Sequence, residues 1–352
     1  MTTDMTPKKR LFNALNDKPI DRVPTFCSGC SQTVTLESME EIGVYWPEAH
    51  SDPSKMAELS MSTYYHNGLE VAGVPYCLSI EAEALGCLTE IGDKKDSIPQ
   101  VTGTPYTGFE DVNVPDDLLT AGRVPVILEA INILKEQVGD TLPIVAGMSG
   151  PFTLACYLAG IEPMLKGLIR KPDKYMGFIE TATEVCVTYG QALKEAGADV
   201  VSIADPSASS DIISPRMFRG IVKPAITRVV DAIDGSSFLH ICGNSTPIIR
   251  DMAETGVDSI NISNKVDAAQ AKQLVDGLTT ITGNISTTVT LALKKPDDVL
   301  AECRAAIDAG VDILAPSCGL APMTPNENIR ALVEAARSYK PTSRTLNNHG
   351  SS

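Results

Sequence analysis

At 352 residues the chain exceeds a minimal domain and suits either one large barrel or two ordinary domains. It is 43% hydrophobic and 21% charged, a globular composition, and its formal charge of −15 argues against nucleic acid and anionic membranes as partners. Nine cysteines at irregular spacing, with no membrane-length apolar run and no signal-peptide core, fit reduced thiols in a cytoplasm rather than a disulfide framework.

The chain opens with a helix signal in which Thr6 caps and Pro7 takes the first helical position. The first strand candidate, 22–28, runs into Cys27-Ser28-Gly29-Cys30. A lone Cys-x-x-Cys could be redox-active or hold a metal, and two unlinked thiols is the simpler reading. Helical sequence fills 29–66. A second strand, 69–76, precedes SIEAEALG, where Glu81 and Glu83 could be acid/base carboxylates but read more simply as exposed residues at a helix start. A helix with Val124, Ile127, Leu128, Ile131 and Leu134 on one stripe leads to the third strand, 143–148. Met148 and Ser149 at its end could line a pocket or merely pack. More helical sequence occupies 150–196. The fourth strand, 198–205, ends in Asp205, which either binds substrate or caps the following turn.

The fifth strand, 237–242, reads SFLHIC, and strand alternation puts Phe238, His240 and Cys242 on one face. Taken alone the pair divides evenly between a buried histidine beside a buried thiol and a functional site. The sixth strand is 257–263. The seventh, 279–285, carries Thr280, Thr282 and Asn284 on one polar face that suggests pocket lining. The eighth, 311–317, delivers Cys318 before a glycine. Thr324-Pro325-Asn326-Glu327 then signals a last helix with Thr324 as its cap, and 341–352 lacks apolar periodicity and reads as a frayed tail.

Gly197-Ala198-Asp199, Gly256-Val257-Asp258 and Gly310-Val311-Asp312, with a looser copy at Gly68-Leu69-Glu70, each end a helix and open a strand. Eight β-α units with a repeat at every second strand predict a single (β/α)₈ barrel over 1–340, with 29–66 and 150–196 as helical insertions. The rival, a doubly wound open sheet, lacks a glycine-rich phosphate loop after its first strand.

Barrel sites form at the C-terminal ends of the strands. There His240, Cys242 and Cys318 converge as a His-Cys₂ set, the composition of a catalytic zinc site with an open fourth position; the alternative is three unrelated buried residues. Two thiolates and a neutral imidazole cancel the charge of zinc. They leave a poor Lewis acid for water but a good holder of a nucleophilic thiolate, so thiol alkylation is the natural chemistry and hydrolysis comes second.

The segments HICGN, APSCGLAPMTP, GMSGPFTLA, IADPSAS and GVYWPEAHSDPSKMAEL resemble the methylcobamide:coenzyme M methyltransferases of the uroporphyrinogen decarboxylase-like superfamily, over about residues 6 to 340. The resemblance implies a cytoplasmic zinc enzyme that takes a methyl group from a methylated corrinoid protein and gives it to the thiol of coenzyme M. It implies His240, Cys242 and Cys318 as metal ligands, and Asp205, Asn284, Met148 and Gln32 are candidate substrate residues. Members using coenzyme M carry an acid after strand six that can serve as a fourth ligand, whereas this chain reads INISNKVD. Ser263 and Asn264 stand where the acid is expected, and Asp267 is the nearest carboxylate. A water or another group then takes the fourth position. Docking of a corrinoid protein on so acidic a chain predicts a neutral or basic patch at the barrel rim. Three rivals remain. A uroporphyrinogen decarboxylase needs cations for its carboxylates, and CSGCSQTVT offers none. A cobalamin-independent homocysteine methyltransferase usually has a longer, duplicated chain, and a non-catalytic zinc or corrinoid-docking subunit does not need an open coordination position.

Overall fold

The computed structural model describes residues 5–27, 32–112 and 114–339. Seven parallel strands form the main sheet: β1 (Ala72–Val74), β4 (Ile144–Ser149), β5 (Val200–Ala204), β6 (Ser236–His240), β7 (Ser259–Asn261), β8 (Thr280–Ile285) and β9 (Ile313–Pro316), in that spatial order. Thr25 supplies the eighth position through a parallel bridge to Leu314 of β9, flanked by backbone bonds from Phe26 N to Leu314 O and from Leu314 N to Pro24 O. All eight strand candidates therefore fall on barrel strands. β4, β5 and β9 are buried at every position, as parallel strands covered by helices must be.

The Gly-x-Asp repeat has a physical basis. Its glycines take left-handed φ of 116°, 90° and 97° at Gly197, Gly256 and Gly310, and 77° at Gly68. Each acid then accepts a hydrogen bond from a backbone N–H in the first two residues of the preceding barrel strand. Asp199 takes Ile144 N at 2.9 Å, Asp258 takes Ser237 N at 2.9 Å and Asp312 takes Ile281 N at 2.8 Å. The looser copy does the same: Glu70 accepts from Thr25 N at 3.2 Å and so bridges the seam between the first strand and β1. Arg10 and Arg22 both reach the same carboxylate at 2.7 Å, and Arg10 is wholly buried.

The helical insertions lie after the first and third barrel strands. One comprises Leu36–Ile42, Trp46–Ala49 and Pro53–Asn67; the other comprises Pro151–Ala159, Ile161–Arg170 and Pro172–Ala196. An antiparallel hairpin, β2 (Leu88–Glu90) with β3 (Gln100–Gly103), was not predicted, because its short strands are half-exposed and carry no apolar alternation. Inside the barrel Phe238 meets Phe26 across the sheet at 5.1 Å between ring centroids, both fully buried. Burial of each ring contributes about 1.5–3 kcal/mol. This apolar layer lies two residues below His240 on the same strand.

Cap predictions divide. Thr6 accepts from Lys9 N, as expected, and Ser214 accepts from Met217 N in the same way. Thr324 does not cap Asn326–Ser338: its hydroxyl is buried with no hydrogen-bond partner, and the helix N-terminus is held by Glu37, which accepts from Asn326 N at 2.7 Å. No single helix among the described residues is long and apolar enough to cross a membrane. The segment 341–352 and Cys30 lie outside the described residues.

Candidate metal centre

His240 ends β6 and is fully buried. Its Nδ1 lies 3.2 Å from the carbonyl of Asn261 at the end of β7. A carbonyl only accepts, so the proton sits on Nδ1 and the lone pair of Nε2 faces the barrel mouth. Nε2 stands 3.0 Å from Cys242 Sγ, which is 3.6 Å from Cys318 Sγ. One ligand atom from each residue fits within a 4.8 Å cluster, and no carboxylate joins it among the described residues. Cys242 lies just beyond the strand proper, yet its sulfur returns to the histidine's side.

The Cys242 thiol is held far above its ordinary pKa, first by its hydrogen bond to Cys318, then by burial and by the neighbour's charge. Two thiolates this close repel each other unless a cation lies between them. With a neutral imidazole beside them, their charges match a divalent ion that prefers nitrogen and sulfur, so the residues fit zinc.

Loops from neighbouring strands hold this set. Gly243 has φ +81°, and a Cβ there would lie 2.4 Å from Asp211 Oδ2 and 2.6 Å from Ser209 Oγ. The glycine after Cys242 thus lets the β5 loop pack directly on the ligand turn. Asp211 Oδ2 accepts from Asn244 N and from Lys265 Nζ, each at 3.2 Å. On the β7 loop, the Asn264 carboxamide accepts from Ser317, the residue before Cys318, at 3.3 Å. Ser263 Oγ accepts from Lys265 N, and Asp267 caps Ala268–Val275 by accepting from Gln270 N. The acids and hydroxyls nearest the expected fourth ligand are therefore engaged elsewhere. Asp211 gave no signal in the sequence, because its role arises from contacts between loops.

Gln32 bonds from Nε2 to Tyr76 O at 3.3 Å, and its own carbonyl accepts from Leu320 N at 2.8 Å, linking the loop after Cys318 to the loop after β1. Cys27 is buried, with its thiol 3.7 Å from the Gln32 carbonyl. Asn284 bonds to Val266 O at 2.9 Å and lines a groove of about 510 Å³ with Asn264 and Lys265. Asp205 is buried, and its oxygens accept from Phe152 N, Thr153 N and Thr153 Oγ1 at 3.1, 2.7 and 2.6 Å; it caps the Pro151–Ala159 helix and not the turn that follows it, whose N-terminus receives no bond from its side chain. Burial pushes its pKa up to about 6. Met148 is buried and packs outward against Gly190 of the helix layer, away from the site. Glu81, expected to be exposed, is buried: it accepts from Ser149 N at 2.7 Å, its second oxygen lies 3.2 Å from Ser149 Oγ, and burial raises its pKa to about 7. Glu83 pairs with Arg123 at 2.7 Å.

Residues 6–339 match the uroporphyrinogen decarboxylase (URO-D) family. The methylcobamide:CoM methyltransferase MtaA of Methanosarcina barkeri is 42% identical over 96% of this chain and 99% of its own length. MtbA of Methanosarcina acetivorans, of the same description, is 37% identical over 96% and 99%. A solved methyltransferase from Methanosarcina mazei superposes with a TM-score of 0.91 at 42% identity, covering 95% of this chain and 99% of that one. A B12-independent methionine synthase from Shewanella, at 15% identity and a TM-score of 0.59 over 81% of this chain and 86% of that one, shares the fold.

Proposed function

The chain belongs to the uroporphyrinogen decarboxylase family and, within it, to the methylcobamide:CoM methyltransferases, and from that premise we propose that it transfers a methyl group from a protein-bound methylcobamide to the thiol of coenzyme M. The observation that carries the reading is the convergence of His240 Nε2, Cys242 Sγ and Cys318 Sγ. When bound, zinc lowers the pKa of an incoming thiol and keeps it as a thiolate. Asn261 fixes the tautomer that turns the His240 lone pair inward. Cys242 and Cys318 supply the charge that keeps the loaded site neutral, so the substrate thiolate stays nucleophilic. Asn264, through Ser317, and Asp211, through Asn244, hold the two ligand loops. The absence of a carboxylate from the described cluster supports a fourth position taken by water or the substrate thiol.

The substrate thiolate attacks the methyl carbon of methyl-cobalt(III) in line. A carbon–sulfur bond forms, the cobalt–carbon bond breaks, and its electron pair stays on the metal as cobalt(I). The corrin must approach face-on from outside, so the rim matters. The helix Pro172–Ala196 spans about 37 Å against about 17 Å for β5, and its lower end is fixed by Gly197 just before that strand. Its first turns, with the preceding helix Ile161–Arg170, therefore stand above the strand ends. Residues 161–174 hold four cations (Lys166, Arg170, Lys171, Lys174) and two acids (Glu162, Asp173), a local +2 that leaves −17 for the rest of the −15 chain. Ile161 and Ile169 are exposed among them. This supports docking of an acidic corrinoid protein on that helix. The reaction would run in the cytoplasm, where thiols stay reduced.

The test is zinc-dependent demethylation of methylcobalamin by coenzyme M, followed by the spectral change to cobalt(I), with X-ray absorption on the metal. The zinc sulfur shell should rise from two to three when coenzyme M is added, and Cys242→Ala or Cys318→Ala should abolish stoichiometric zinc in a folded barrel. Carbon dioxide release from uroporphyrinogen without any thiol methylation would overturn the reading.

A further inference from the structure

A thiol substrate with an anionic end must enter the mouth of a chain whose net charge is −15. Coulomb repulsion disfavours that entry unless a cation is placed where the anion comes to rest. Two cations on the mouth loops, Arg123 and Lys265, make side-chain contacts near the site. Arg123 is 5% exposed, and its donors are committed: Nε and Nη2 go to Glu83, Nη2 also to Ser79, and Nη1 points at Cys77. Lys265 is the other, and its ammonium is 61% exposed.

Lys265 is fixed beside the ligand turn. Its Nζ donates to Asp211 Oδ2, the oxygen that also accepts from Asn244 N. Asn244 follows Cys242 by two residues, at most about 7 Å of backbone, and a two-carbon thiol anion spans a distance of that order. The packing of Asp211 against Gly243 leaves no room for a Cβ, so the anchor is built into the turn. On the other side Lys265 follows Asn264, whose side chain reaches the residue before Cys318, and both line the groove that also includes Asn284. One of three ammonium protons serves Asp211, and two remain for a ligand.

We infer that Lys265, held in place by Asp211, recognises the anionic end of the thiol substrate and sets the preference for a thiol-sulfonate over a neutral thiol. The inference rests on the methyl-transfer reading and names a specificity residue for it.

The experiment uses zinc-loaded enzyme, free methylcobalamin as donor, and three acceptors of graded charge: coenzyme M, 2-mercaptoethanol and cysteamine. In Lys265→Met the ratio of kcat/KM for coenzyme M to that for 2-mercaptoethanol should fall about 10- to 100-fold, the worth of one charge-assisted hydrogen bond, and should fall through KM. Lys265→Arg should restore most of the ratio, and Lys265→Glu should turn the preference toward cysteamine. Zinc content is measured for each variant. A Lys265→Met enzyme with full zinc and the wild-type ratio overturns the assignment, as does an equal loss with all three thiols, which would mark a structural role. A wild-type enzyme that methylates none of the three overturns the methyl-transfer reading itself.

Discussion

Glu81→Gln isolates the cost of ionising a carboxyl beneath the barrel mouth. Glu81 is fully buried, accepts from Ser149 N at 2.7 Å and lies 3.2 Å from Ser149 Oγ, which itself donates to Leu78 O at 3.0 Å. Burial is the main cause of its rise from an ordinary 4.5 to about 7, partly offset by the bonds from the backbone and Ser149. The folded protein therefore keeps this proton up to about pH 7, whereas the unfolded chain releases it near 4.5. Between those values the folded state binds the extra proton, so stability falls as pH rises and levels off above 7. At 1.36 kcal/mol per unit, the 2.5 units amount to about 3 kcal/mol. A glutamine has the shape of the protonated acid: its oxygen can take Ser149 N and its amide can donate to Ser149 Oγ, with no charge to bury. Urea unfolding of both proteins from pH 4 to 8.5 is the assay. The stability of Glu81→Gln relative to wild type should grow by about 3 kcal/mol across that range. Asp205, whose pKa is also raised, contributes in the same sense to both proteins and cancels in the difference. A difference that stays flat within about 0.5 kcal/mol would refute the reasoning.

Gly243→Ala places a methyl group 2.4 Å from Asp211 Oδ2 at φ +81°, and should cost about 1–3 kcal/mol and loosen the ligand turn. Chelator competition should then show zinc affinity at least about tenfold lower, in the range seen when a group supporting a metal ligand is lost. Ser263→Glu restores a carboxylate near the metal and should slow coenzyme M binding in stopped flow; a resting metal that already carries a side-chain carboxylate would contradict this. Charge reversal at Lys166, Arg170 and Lys171 together should raise KM for a corrinoid protein by about tenfold or more and weaken its salt dependence. The same variant assayed with free methylcobalamin separates docking from chemistry.

The parts that could be read from the sequence depend on local rules. The Gly-x-Asp repeat was visible because one glycine ends a helix and one acid takes a backbone N–H at the start of the neighbouring strand, so the same two residues recur wherever that joint recurs. His240, Cys242 and Cys318 were visible because barrel strands bring their C-terminal ends to one mouth. What escaped depends on distant partners. Glu37 caps a helix 289 residues away, which no inspection of Thr324 could foresee. Glu81 lies in a charged stretch that reads as solvent-facing, and its burial is set by Ser149 from another strand. Met148, at a strand end, read equally as pocket lining or packing, and the strand's phase against Gly190 decides for packing.

The eight described cysteines form no disulfide, and six of them are buried. Burial drives Cys87 up to about 11 and Cys156 up to about 12, so these thiols barely ionise at neutral pH and react slowly with oxidants. The two partly exposed ones are Cys242 and Cys318, the pair proposed to hold the metal. Their sulfurs stand 3.6 Å apart and need only close to about 2.05 Å to form a bond, with loss of two electrons and two protons to an oxidant. A metal between them blocks that path. Occupancy of the centre therefore also decides susceptibility to air: a loaded enzyme presents few reactive thiols, and a stripped one presents the two whose oxidation would close the site against reloading.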